Sequence, residues 1–90
     1  MPKSKMTFDA FVAKCKIYTD TKARARALAD FGDDEVAQSV RVFKYPNDYL
    51  IVERKTGNFC YAWAHPRDQI APTLPEAERA LWDEYAAESF

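Results

Sequence analysis

Between Ser39 and Ala64 three short apolar runs follow one another with very little chain between them. They are Ser39-Val40-Arg41-Val42-Phe43-Lys44-Tyr45, then Tyr49-Leu50-Ile51-Val52-Glu53-Arg54, then Phe59-Cys60-Tyr61-Ala62-Trp63-Ala64. Each is rich in β-branched or aromatic residues and is bounded by turn formers, which is the signature of a strand. Pro46-Asn47-Asp48 joins the first pair. Proline presets φ for a turn, and Asn and Asp tolerate the left-handed conformation that closes a three-residue hairpin. Thr56-Gly57-Asn58 joins the second pair, with Gly57 free to take a positive φ. Loops this short force antiparallel neighbours, so the segment reads as a three-stranded meander.

Side chains alternate along a strand, and register sorts them into two faces. A three-residue first loop sets Tyr45 opposite Tyr49. A second loop with an even number of residues sets Arg54 opposite Phe59. On those registers Val40, Val42, Leu50, Val52, Phe59, Tyr61 and Trp63 share one face. Arg41, Phe43, Tyr45, Tyr49, Ile51, Glu53, Cys60, Ala62 and Ala64 share the other, with Arg41 and Glu53 meeting across the strands. An odd second loop would turn the third strand over. With either parity both faces are apolar, whereas an antiparallel sheet with one wet face reads hydrophobic-in and polar-out. Either helices cover both faces, or one of them is a contact surface for another molecule.

Ahead of the sheet, Thr7 is a good N-cap with Asp9 in the first turn. Phe8, Phe11, Val12 and Cys15 recur at helical spacing, so residues 8–18 read as an amphipathic helix, with Met6 stapled against Phe11. Thr19-Asp20-Thr21 breaks it. Ala23 to Phe31 reads as a second helix, or as the far side of a kink, ending at Gly32 as a C-terminal cap. After the sheet, Pro66, Pro72 and Pro75 make residues 65–73 an irregular connection. Thr73 with Glu76 then opens a last helix, whose buried stripe is Leu74, Ala77, Leu81 and Tyr85 with Trp82 beside it. The expected architecture is a single α+β domain, α-β-β-β-α, over residues 1–90, with residues 1–6 a flexible basic tail. The 90 residues, 48% of them hydrophobic, leave no room for a second core.

Charge is unevenly spread. Residues 1–30 carry seven Lys or Arg against three acids, and residues 68–90 carry six acids against one base. No apolar run approaches membrane-spanning length. The start Met-Pro-Lys-Ser-Lys lacks the apolar core of a signal peptide, so a cytoplasmic location is expected. Cys15 and Cys60 then read as reduced core thiols.

The residues of most enzyme classes are missing. Two distant cysteines and one histidine do not make a zinc site. Two glycines, Gly32 and Gly57, do not make a phosphate loop. Lys55-Thr56-Gly57 matches a fragment of a β-lactamase signature without its companion motifs. Cys60 and His65 lack a third group to orient them as nucleophile and base. The sequence therefore points to a non-enzymatic binding protein that takes no cofactor, metal or small-molecule substrate. Its first expectation is an adaptor or inhibitor that recognises a protein, or a second copy of itself, through Phe43, Tyr45, Tyr49 and Ile51, with Arg41 at the rim. Its second is a nucleic-acid-binding module in which Lys14, Lys22, Arg24, Arg26, Arg41, Lys44, Arg54 and Lys55 hold phosphates and sheet aromatics stack on bases.

The α-β-β-β-α order resembles that of double-stranded-RNA-binding domains, which implies an RNA ligand. The Lys-Lys-x-Ala-Lys start of that family's last helix is replaced here by Pro75-Glu76-Ala77-Glu78. Phe8, Phe11, Lys16-Ile17-Tyr18, Lys22-Ala23-Arg24 and Lys55-Thr56 resemble the Alu-binding subunits of the signal recognition particle, but the pattern ends at Thr56.

Overall fold

The turn chemistry decides the registers. The structure, a computed structural model, describes residues 6–29, 31–63 and 69–89. Strand β2 (Ser39–Tyr45) and strand β3 (Tyr49–Arg54) pair through the 3₁₀ turn Pro46–Asp48, with Tyr45 opposite Tyr49 and Arg41 opposite Glu53. Asn47 and Asp48 both sit at φ 63°, the left-handed region their short polar side chains tolerate. At the next turn Gly57 lies at φ 93°; its N–H donates to the Arg54 carbonyl at 2.9 Å, while the Arg54 N–H donates to the Asn58 carbonyl at 2.9 Å. That is a three-residue loop with glycine at the left-handed position. Its odd length sets Glu53, not Arg54, opposite Phe59 on strand β4 (Phe59–Trp63). The even-loop register is therefore corrected: Phe59 and Tyr61 join the face of Ile51 and Phe43, and Cys60 joins that of Val42 and Val52.

Two further strands extend the sheet to five, in the spatial order β1-β2-β3-β4-β5, all antiparallel. Strand β1 (Lys16–Tyr18) pairs with β2, Lys16 opposite Lys44 and Tyr18 opposite Val42. Strand β5 (Ile70–Ala71) pairs with β4 inside the segment expected to be irregular. The effect of Pro66 on His65 lies outside the described residues, as does the Met1–Lys5 part of the expected tail. Met6 packs half-buried against the core.

Helices cover both faces. Helix α1 (Phe8–Ala13) is shorter than its apolar spacing suggests. Thr7 caps it, accepting from the Ala10 N–H at 3.1 Å, and the chain leaves at Lys14 to enter β1. Ile17 and Tyr18 satisfy their backbones better at a sheet edge than in a frayed last turn. Asp20 caps helix α2 (Thr21–Ala27) by accepting from the Lys22 and Ala23 N–H groups at 3.0 and 3.2 Å. Gly32, at φ 91°, opens a third helix, α3 (Asp33–Gln38), rather than closing the second. Helix α4 (Leu74–Ser89) starts at Thr73, whose hydroxyl accepts from the Glu76 N–H at 3.4 Å.

The core is split by the sheet. On one side Phe11, Phe43, Tyr45, Tyr49, Ile51, Ala77, Leu81 and Tyr85 form a cluster under α1 and α4. Phe11 stacks on Tyr45 at 5.0 Å between centroids and meets Tyr85 at 4.8 Å and Trp82 at 5.3 Å. On the other side Leu28, Phe31, Val42, Leu50, Val52 and Cys60 form a mostly aliphatic cluster under α2 and α3. Val40, expected on the same face as Val42, occupies a bulge where the register shifts between Ser39 and Arg41, and is exposed. Among the described residues no helix is long and apolar enough to cross a membrane.

Candidate functional site

The sheet-face anchors expected to contact a partner are core. Phe43 is 2%, Tyr45 2%, Tyr49 4% and Ile51 0% exposed, because α1 and α4 lie directly over them. Arg41, their expected rim residue, pairs with Glu53 and places its guanidinium 5.1 Å over the Phe43 ring. Burial offers each of these side chains about 1.5–3 kcal/mol, and the chain's own helices collect it. The expectation of an exposed aromatic face is corrected: the sequence showed a two-sided sheet, and both sides are used internally.

Among the arginines, Arg24 holds the start of β2. Its guanidinium donates to the Ser39 carbonyl and hydroxyl, both at 2.6 Å, and to the Val36 carbonyl at 3.4 Å, while its Nε donates to the Thr19 carbonyl at 3.1 Å. One side chain thus ties the ends of β1, α3 and β2 to helix α2. Arg54 reaches Glu35 through two bonds, Nε to Oε2 at 3.0 Å and Nη2 to Oε1 at 2.9 Å. Glu35 is 6% exposed, and the pair fastens α3 to β3. Arg54 stays protonated more firmly than an ordinary arginine because of that hydrogen bond. Arg24, Arg41 and Arg54 thus each hold parts of the fold together, which sets them apart from the other basic residues expected to contact phosphate. Arg26 and Lys22 are exposed on α2, and Lys55 is exposed at the β3–β4 turn.

The lysines at the opposite end of the sheet behave differently. Lys14, Lys16, Tyr18 and Lys44, with the turn Pro46–Asp48, line an open cleft of about 260 Å³. Lys16 stands directly opposite Lys44 across the β1–β2 ladder. Like charges placed opposite each other on one sheet face cost stability. Among the described residues that line the cleft, a single carboxylate answers them: Asp48 Oδ1 lies 3.2 Å from Lys44 Nζ. Lys14 is the exposed C-cap of α1 and brings a third ammonium. Tyr18 is half-exposed, with part of its ring packed against the aliphatic core. Lys16 and Tyr18 share a face because they lie two residues apart on one strand. Sequence reasoning missed this pairing because residues 14–18 continue a helical stripe. The signal that could have found it is Ile17-Tyr18-Thr19, a β-prone triplet directly after the last helical turn.

A buried polar chain runs beneath this cleft on the other side of the sheet. Tyr45 Oη donates to Glu78 Oε2 at 2.7 Å. Burial, with Glu78 next, holds the Tyr45 phenol far above its ordinary value. Burial also raises the Cys15 thiol, which contacts the same tyrosine, and the Cys60 thiol on the opposite face. Both cysteines are free. Among the described residues no group of three His, Cys, Asp or Glu side chains is placed to hold a metal ion. A second hollow, by Phe31, Gly32, Asp33, Asp34, Glu35, Gln38 and Arg54, surrounds the Glu35–Arg54 pair.

The elements define an α+β protein with an antiparallel sheet sandwiched between helices. Comparison with family models, with curated proteins and with solved structures returns no match.

Proposed function

We propose that this protein acts by binding rather than by catalysis, and that it binds nucleic acid by its backbone phosphates at the Lys14–Lys16–Lys44 cleft. The observation that carries this reading is the register of Lys16 against Lys44. A fold that needed only stability would not set two ammonium groups face to face beside a third, with one carboxylate between them. A bound phosphate supplies the missing counter-charge, and phosphate contacts to lysine carry most non-specific nucleic-acid affinity. Lys22 and Arg26, exposed on the helix that packs against β1 and β2, extend the positive surface beyond the cleft. The raised thiols make poor nucleophiles, since the thiolate is the reactive form.

The test is titration of a fluorescent oligonucleotide, single-stranded and duplex in turn, at about 50 mM salt, where phosphate contacts are strong. The wild-type chain is expected to bind at least one of the two. Lys16→Glu and Lys44→Glu are expected to weaken binding strongly while both variants remain folded. No binding of either nucleic acid by the wild type would overturn the proposal, as would equal binding by the two variants.

A further inference from the structure

We infer that the nucleic acid this cleft accepts is a single strand, with one phosphate between Lys16 and Lys44 and the neighbouring base laid on Tyr18. The inference rests on the nucleic-acid reading above and goes further by naming the form of the ligand and the residue that selects it.

Three features point the same way. The first is the place of Tyr18. It lies on the same face of β1 as Lys16, two residues on, about 7 Å along the strand. Its ring has apolar support from the Leu28 cluster on one part and is open to the cleft on another. A half-supported aromatic beside ammonium groups is the arrangement on which unpaired bases stack. The second is size. A cleft of about 260 Å³, walled on one side by the Pro46–Asp48 turn, matches the size of a phosphate with part of its nucleotide. In a duplex the ring faces are already stacked and only base edges are shown, so Tyr18 would have nothing to cover. The third is the grouping of charge. Lys14, Lys16 and Lys44 line one small cleft, with Lys16 and Lys44 cross-strand neighbours.

The same geometry gives Asp48 a role. Its carboxylate occupies Lys44 at 3.2 Å and so competes with an incoming phosphate. Asp48 has φ 63°, a conformation that asparagine accepts at least as well, so Asp48→Asn removes the charge without straining the turn.

The experiment compares three probes, an oligothymidylate, the corresponding abasic deoxyribose-phosphate oligomer and a duplex, against the wild type, Tyr18→Leu, Tyr18→Phe and Asp48→Asn. The wild type is expected to prefer the oligothymidylate. Tyr18→Leu should weaken its binding by roughly 5- to 150-fold, the range that loss of one stacked base implies. Tyr18→Phe should keep it, the abasic oligomer should be indifferent to both changes, and Asp48→Asn should tighten every probe. Should Tyr18→Leu fail to fold, the Tyr18 ring resonances of the wild type decide instead: upfield shifts with oligothymidylate but not with the abasic oligomer support stacking. Equal affinity for duplex and single strand, or equal loss for abasic and base-bearing probes, would overturn the inference while leaving phosphate binding intact. No binding of any probe would instead sink the broader nucleic-acid proposal.

Discussion

The two ends of the β2–β3 hairpin carry the same sign of charge and treat it in opposite ways. At the Ser39–Arg54 end, Arg24 and Arg54 use their donors within the fold, on backbone carbonyls, the Ser39 and Thr21 hydroxyls and a buried carboxylate. At the Tyr45–Tyr49 end, Lys14, Lys16 and Lys44 face a cleft with a single carboxylate among them. The difference follows from the side chains. A guanidinium offers a rigid fork that serves several acceptors at once, so it can replace missing backbone partners where elements meet. An ammonium on a flexible stem is strongly hydrated and stays at the surface. Counting basic residues along the chain merges these two populations. The structure separates them into one set that builds the fold and one that remains available.

Breaking the arginine end should have the largest effect on stability. Arg54→Ala leaves the Glu35 carboxylate buried without its partner and is expected to cost about 3–5 kcal/mol in denaturant unfolding. Arg24→Ala removes bonds that charge makes strong, including the short ones to the Ser39 carbonyl and hydroxyl, for about 2–3 kcal/mol. Arg24→Lys should recover only part of that loss, since a point charge cannot reach the same acceptors together.

Beneath the lysine end the expected effect is smaller and depends on pH. Tyr45→Phe removes the donor to Glu78 and is expected to cost about 1.5–3 kcal/mol near neutral pH. The sign with pH follows from linkage. The folded phenol holds its proton more tightly than the unfolded one, whose ordinary value is 10.0. Its contribution is therefore full below that value and is lost as pH rises above it, because the unfolded chain releases the proton first. Wild-type melting temperature should fall on passing into that alkaline range, and Tyr45→Phe should fall less steeply.

The smallest stability effect belongs to the lysine end, and its sign is reversed. Lys16→Glu sets a carboxylate opposite Lys44 in place of an ammonium. It should stabilise the fold by a few tenths of a kcal/mol up to about 1 kcal/mol, the range of an opposite-charge cross-strand pair. The same change should strongly weaken oligonucleotide binding. A substitution that improves the fold and weakens the activity is what a site held against stability predicts.

Much of the fold was legible in the residues. The three central strands, the left-handed Asn47 and Asp48, the Arg41–Glu53 pair, the cap at Thr7, the break at Asp20 and the buried stripe of α4 all follow from local chemistry. Strands β1 and β5 were not legible, because three and two residues carry too little pattern and tertiary pairing alone decides them. The parity of the Gly57 turn was open for a related reason. Lys55-Thr56-Gly57 fits loops of either length, and the residue that fixes the register is set by backbone bonds between Arg54, Gly57 and Asn58. The candidate site was hidden by the same gap. Lys44 was recognised as basic, but its facing lysine belongs to β1, so no argument that ended the first helix at residue 18 could bring the two together.

The account depends most on the lysine end being open to phosphate. Affinity for a labelled single strand, measured over a range of salt concentrations, tests it directly. With one phosphate held between Lys16 and Lys44 and a second within reach of Lys14, the logarithm of the binding constant should fall against the logarithm of salt with a slope between about −0.7 and −1.4, from about −0.7 per phosphate contact. A slope near zero, or no binding at the lowest salt, would contradict it.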